Sequence, residues 1–127
     1  MIYGIGTDIA KVSRFERWLN NPAIITRFFA EDERFTGSWD KNASAACQHY
    51  AVRFAAKEAF AKALGTGFVG LSLKDFWVVN DENGKPSFAF GHDTSEILRR
   101  CVGECAVHLS LSHEKEYATA FVVIEKK

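Results

Sequence analysis

Residues 43–64 form an alanine-rich stretch that limits the fold more than any other part of the chain. Alanine, leucine, lysine and glutamate all favour helix, so one long helix is expected from about Ala43 to Leu64, with Gly65 as its C-terminal stop. Cys47, Ala51, Phe54, Glu58 and Ala61 recur at steps of three and four and share one face. That face is otherwise apolar, so Glu58 is expected on the buried side. A buried carboxylate is costly unless a cation, a metal or several donors meet it. Whatever offsets that cost at Glu58 is the first candidate for function.

Ile2 to Ile9 reads as a strand, with Tyr3, Ile5 and Ile9 on one face and Ile2, Gly4, Gly6 and Asp8 on the other. Alternate glycines weaken a strand, so Gly4 and Gly6 point to close approach of another backbone or a ligand. Ser13-Arg-Phe-Glu16 matches a capping box. The short helix it opens carries Phe15, Trp18 and Leu19 on one side and stops at Asn20-Asn21-Pro22. Ala23 to Phe29 and Glu31 to Phe35 read as two more short helices, and Gly37 to Asn42 as a polar connection. Beyond the long helix, residues 66–70 form a flexible loop. Leu73 to Asn80 and Pro86 to Phe90 read as strands joined by the turn Asp81-Glu-Asn-Gly-Lys85. Asp93 to Val102 is a helix opened by Asp93 or Thr94 and closed by Gly103. In Ala106 to Ser112, Val107, Leu109 and Leu111 alternate with polar residues. In Tyr117 to Ile124, Ala118, Ala120, Val122 and Ile124 share a face. Strands and helices in this mixed order predict an α+β fold, with an antiparallel sheet packed against one long helix and several short ones.

A length of 127 residues with 47% hydrophobic content suits a single domain over residues 1–127. Sixteen basic and sixteen acidic side chains cancel, which argues against a general nucleic-acid binder. Cys47, Cys101 and Cys105 are odd in number and lack zinc-type spacing, so they read as reduced thiols of a cytoplasmic protein. No apolar run is long enough for a membrane span, and the N-terminus lacks signal-peptide character.

Asp8 and Glu58 are candidates for a shared magnesium site, because magnesium takes oxygen ligands and completes its shell with waters and substrate phosphates. From spacing alone, the favoured reading is the simpler one, a strand-end aspartate and a Glu58–Lys62 pair one turn apart. Arg53, Lys57 and Lys62 are candidates for a cationic wall around phosphate, or for a solvated helix face. His113 sits just past a strand end, where ligand-binding loops gather. Arg14, Arg17 and an exposed-looking Trp18 suit a protein interface.

Gly4-Ile-Gly-Thr-Asp-Ile9, Phe28-Phe-Ala-Glu-Asp-Glu33, Arg53-Phe-Ala-Ala-Lys-Glu-Ala-Phe60, Lys62-Ala-Leu-Gly-Thr-Gly67, Asn83-Gly-Lys-Pro86 and Ser110-Leu-Ser-His113 follow one another along nearly the whole chain. Together they resemble the bacterial holo-acyl-carrier-protein synthases, the short 4′-phosphopantetheinyl transferases. The resemblance implies an enzyme that moves 4′-phosphopantetheine from coenzyme A to a serine of acyl carrier protein in fatty acid biosynthesis, releasing adenosine 3′,5′-bisphosphate. It implies magnesium on Asp8 and Glu58, with Glu58 or a water it orients as base and Lys62 at the leaving phosphate. It implies Arg53 and His113 on the 3′-phosphate, Lys85 and Pro86 at the adenine, and Gly65 with its loop closing over the nucleotide. It also implies Arg14, Arg17 and Trp18 docking the carrier protein, and a homotrimer with active sites at subunit interfaces. The competing reading is a module that binds coenzyme A or a nucleotide without chemistry; an intact Asp8, Glu58 and Lys62 set favours the enzyme.

Overall fold

The structure, a computed structural model, describes residues 1–37 and 41–127. Its central element is the expected helix, α3, at Ala43–Leu64. Two short helices, α1 (Glu16–Leu19) and α2 (Pro22–Phe28), precede it. Gly65 ends it at φ 90°, where its N–H bonds to the Ala61 and Lys62 carbonyls at 3.0 and 3.1 Å. Such a left-handed stop suits glycine because no Cβ obstructs it.

Three strands lie against α3: β1 (Ile2–Lys11), β4 (Cys105–His113) and β5 (Tyr117–Lys126), antiparallel throughout in the order β1-β5-β4. Ala118, Ala120, Val122 and Ile124 of β5 point inward as expected. The small-residue face of β1 meets a backbone. A Cβ at Gly4 would lie 1.9 Å from the Ala63 carbonyl oxygen, and one at Gly6 1.9 Å from that of Ala59. Helix α3 therefore rides directly on the β1 main chain. On the opposite, mixed face of the sheet several apolar side chains are open: Ile5 is 59% exposed, Ile9 63% and Phe121 48%.

The remaining strands, β2 (Phe76–Asn80) and β3 (Pro86–Phe90), form a separate antiparallel hairpin. Its turn is the expected one, with Asp81 Oδ1 accepting the Asn83 and Lys85 N–H groups at 2.8 and 2.9 Å. The five strands among the described residues thus make two sheets. The expected strand over 73–80 begins late because Leu73–Asp75 is a 3-10 turn. Asp75 is occupied there: its carboxylate accepts the Thr94 N–H at 2.7 Å and caps α4 (His92–Cys101). The cap of α4 therefore comes from another element and not from Asp93 or Thr94. Phe60 of α3 packs on Phe76, Phe88 and Phe90 of the hairpin, with ring centroids 4.9–5.5 Å apart.

The short elements depart most from expectation. A 3-10 turn at Val12–Phe15 leads into α1 (Glu16–Leu19), and the capping box at Ser13 and Glu16 does not form. Ser13 lies inside the turn, whose path is set by burial of Val12 and Phe15. Pro22 opens α2 (Pro22–Phe28), with Asn21 accepting the Ile24 N–H at 3.4 Å. The expected helix over 31–35 is only a 3-10 turn, Glu31–Glu33. Ala30 has no side-chain acceptor to start it, and Glu33 turns inward, where it takes the Ala30 N–H at 3.0 Å. Of the expected connection over 37–42, residues 38–40 lie outside the described residues. Trp18 is packed rather than exposed, its ring 4.7 Å from that of Phe15 and 5.3 Å from that of Phe54.

Candidate active site

Glu58 does not occupy the core. The apolar stripe of α3 is covered at Phe54 by Phe15 and Trp18, and one turn later it opens to solvent, leaving Glu58 half-buried. Among the described residues the buried charges are Glu33, 1% exposed, and Lys57, 0% exposed, paired at 2.8 Å. Lys57 therefore leaves the expected cationic wall. Its ammonium also donates to the Leu73 and Phe76 carbonyls at 2.6 and 2.5 Å. Burial pushes the Lys57 pKa down, and the Glu33 carboxylate pulls it back.

Asp8 reaches the same rim as Glu58 from β1. Lys62 turns to Asp8, at 3.2 Å from Oδ1, and donates to the Thr7 carbonyl at 3.0 Å, so the simple Glu58–Lys62 pair is not the one that forms. Burial, and then the neighbouring Asp8 charge, raise the Glu58 pKa, against smaller downward pulls from Lys62 and Arg14. Two carboxylates thus converge at a partly open edge with a lysine held beside them. Among the described residues no third aspartate, glutamate, histidine or cysteine completes a metal cluster. A pair of oxygen donors with open positions fits magnesium, which usually keeps waters and shares substrate phosphates.

Next to this rim, Lys11, Arg14, Arg17 and Trp18 line an open groove of about 500 Å³. The structure therefore brings the three expected docking residues together. The Arg14 guanidinium carbon lies 5.0 Å from the centre of the Phe54 ring, a cation–π distance.

A second cleft, of about 230 Å³, gathers Arg53, Asn80, Pro86, Leu111 and His113. Three of the expected nucleotide residues, Arg53, Pro86 and His113, meet there although they come from α3, β3 and β4. Lys85 is exposed at the hairpin turn, and Gly65 is exposed at the end of α3; neither lines this cleft. Arg53 Nη1 donates to the His49 carbonyl at 3.2 Å, while its buried Nε has no hydrogen-bond partner. Burial lowers the Arg53 pKa, and Glu33 works against that shift. Burial, with Arg53 nearby, also holds His49 down at about 4, so its ring is neutral at pH 7.

Sequence reasoning missed Val52, Asn80, Leu111 and His49 here. The apolar residues carried no signal apart from core packing. Asn80 was legible only as a strand end. The cleft and the carboxylate rim do not merge within one chain. Arg53 and Glu58 are five residues apart on α3, about 140° around its axis, and neither Asp8, Glu58 nor Lys62 lines the Arg53 cleft.

Residues 4–122 match the family model for the 4′-phosphopantetheinyl transferase superfamily. The chain is 46% identical to the holo-[acyl-carrier-protein] synthase of Treponema denticola over 125 residues, 98% of this chain and 99% of that protein. The crystal structure of the Neisseria meningitidis holo-[acyl-carrier-protein] synthase superimposes with a TM-score of 0.86 at 40% identity, covering 99% of this chain and all of that one. The Bacillus anthracis enzyme, solved in complex with coenzyme A (3′,5′-ADP), gives 0.79 at 38% identity over 100% of this chain and 99% of that one. The chain belongs to the 4′-phosphopantetheinyl transferase superfamily, among its holo-[acyl-carrier-protein] synthases.

Proposed function

We propose that this chain transfers the 4′-phosphopantetheine arm of coenzyme A to a serine of apo-acyl carrier protein, releasing adenosine 3′,5′-bisphosphate, in support of fatty acid biosynthesis. The observation that carries this reading is the Asp8, Glu58 and Lys62 cluster, set beside a basic and aromatic groove. Residues 1–127 act as one transferase domain.

The serine oxygen attacks the phosphorus bearing pantetheine, and the bond from that phosphorus to the adenosine bisphosphate oxygen breaks. Such transfers depend on positioning and charge neutralisation more than on covalent help from the protein. Asp8 and Glu58 would hold the magnesium ion, which would supply neutralisation of the phosphate charge. Glu58, or a water it orients, takes the serine proton as general base. Lys62 offsets charge on the leaving phosphate. Arg53, with unspent donors, and His113 grip the 3′-phosphate, while Pro86 and Lys85 border the adenine. Arg14 and Arg17 steer the acidic carrier protein, and the packed Trp18 gives that surface a firm apolar floor.

Separation of the Arg53 cleft from the Asp8 rim supports a homotrimer in which one subunit's cleft faces the neighbour's carboxylates. The open face of the main sheet, where Ile5, Ile9 and Phe121 are exposed among polar residues, is a surface available for that contact. Mixing inactive Asp8→Ala protein with inactive Arg53→Ala protein should therefore restore activity, up to about a quarter of wild type for random exchange in a head-to-tail ring. No recovery from exchanged subunits, or an active monomer on sedimentation, rejects the shared site. No helix among the described residues is long and apolar enough to cross a membrane, and the three unpaired cysteines support a cytoplasmic setting.

The overall reading is tested by incubating the protein with coenzyme A, magnesium and apo-acyl carrier protein. Intact mass should show addition of one phosphopantetheine to the carrier. Bound coenzyme A without mass gain would instead mark a non-catalytic binder.

A further inference from the structure

We propose that the buried Glu33–Lys57 ion pair is a positioning device for the Arg53 cleft, setting how tightly the nucleotide half of coenzyme A is held without touching it. The inference rests on the coenzyme A reading above. Lys57 spends its three donors on Glu33 Oε1 at 2.8 Å and on the Leu73 and Phe76 carbonyls at 2.6 and 2.5 Å. Glu33 in turn accepts the Ala30 N–H at 3.0 Å and the Val78 N–H at 3.4 Å. One ammonium and one carboxylate thus tie together the 31–33 turn, α3 and β2.

The β2–β3 hairpin shares no ladder with the main sheet. Its position is held by this clamp, by the aromatic packing on Phe60, and by packing of β3 beside β4 and α4. Aromatic contacts tolerate sliding, whereas hydrogen bonds to named carbonyls do not. Both walls of the cleft depend on that registration, since Arg53 comes from α3 and Asn80 and Pro86 from the hairpin. A second route runs from the same turn: His49 Nε2 bonds to the Glu33 carbonyl, and Arg53 Nη1 donates to the His49 carbonyl at 3.2 Å. An ion pair buried this deeply gains little net stability over well-packed apolar side chains. What apolar side chains lack is direction, and direction is what the cleft needs.

Two proteins test this: Glu33→Gln, which keeps the shape, and the double variant Glu33→Leu with Lys57→Met, which replaces the clamp by apolar packing. Folding is checked by circular dichroism, and transfer is measured with coenzyme A and carrier protein varied separately. The KM for coenzyme A should rise about tenfold or more, while kcat at saturation and the KM for carrier protein stay within about twofold. Affinity for adenosine 3′,5′-bisphosphate, titrated directly, should fall by the same factor. A folded variant with an unchanged KM for coenzyme A, or one that loses kcat alone, overturns the inference. If neither chain folds, the pair is purely structural and the inference also falls. Wild-type protein that binds no adenosine 3′,5′-bisphosphate overturns the coenzyme A reading itself.

Discussion

Alanine at Asp8 or at Glu58 is expected to lower phosphopantetheine transfer by at least about 10²-fold while the protein stays folded. Each change removes half of the oxygen pair at the α3–β1 rim, and among the described residues no third acidic or histidine ligand stands ready to replace it. Magnesium binding followed by calorimetry should be lost in both variants, a readout independent of turnover. Stability should move the other way at Glu58. Its carboxyl pKa lies above the ordinary 4.5 because of burial and the Asp8 charge. The folded state therefore holds that proton more tightly than the unfolded chain. Ionising Glu58 costs stability as pH rises through the raised value, and the cost disappears below the ordinary carboxylate range. Glu58→Gln should accordingly melt above wild type at neutral pH in chelator, and lose that advantage in acid. Undiminished transfer in both alanine variants, or in excess chelator, rejects the metal assignment.

Alanine at Gly6 is expected to be the most damaging single methyl in the chain. Its Cβ would sit 1.9 Å from the Ala59 carbonyl oxygen and 2.7 Å from the Ala63 nitrogen. Both are helix backbone, so no side chain can swing aside. α3 must lift from β1, opening the small-residue seam beneath it. Overpacking costs about 1–3 kcal/mol where side chains can adjust, and this contact belongs at or above the upper end. The urea midpoint should fall accordingly, and transfer should fall with it, because the same lift separates Glu58 from Asp8. Gly84→Ala makes the control: that residue has φ 81° and open space around it, so the cost is limited to local backbone strain. Equal midpoints for Gly6→Ala and wild type would show that the helix does not rest on β1 as described.

The elements with strong periodicity were legible in the sequence. The bounds of α3, the inward face of β5 and the β2–β3 turn each follow from local patterns that tertiary packing reinforces. The alternate glycines of β1 announced a close backbone, though not that the backbone was α3. Positions decided by long-range contacts were not legible. Glu58 shares a face with Phe54, but nothing in the spacing shows that cover from Phe15 and Trp18 ends one turn earlier. Glu33 and Lys57 lie 24 residues apart, so their pairing is invisible to helical or strand periodicity. The same holds for the cap that Asp75 lends to α4. The Ser13 capping box failed because burial of Val12 and Phe15 outweighed a local side-chain bond. At the site, the Arg53, Pro86 and His113 cleft was foreseen from family likeness alone, since its members come from three separate elements.

Direct seating of α3 on β1 has a consequence for how sequences of this kind can drift. The spacing between Asp8 and Glu58 is inherited from main chain lying against main chain, with no side chain interposed at Gly4 and Gly6. The atoms that meet Gly4 and Gly6 are the Ala59 and Ala63 main chain, with no aromatic side chain or hairpin residue in the contact. For that spacing the strictest positions are Gly4 and Gly6, where even the smallest side chain would meet helix backbone. If the Arg14 and Arg17 surface docks the carrier protein as proposed, that surface can change without touching the glycine contacts that set this spacing.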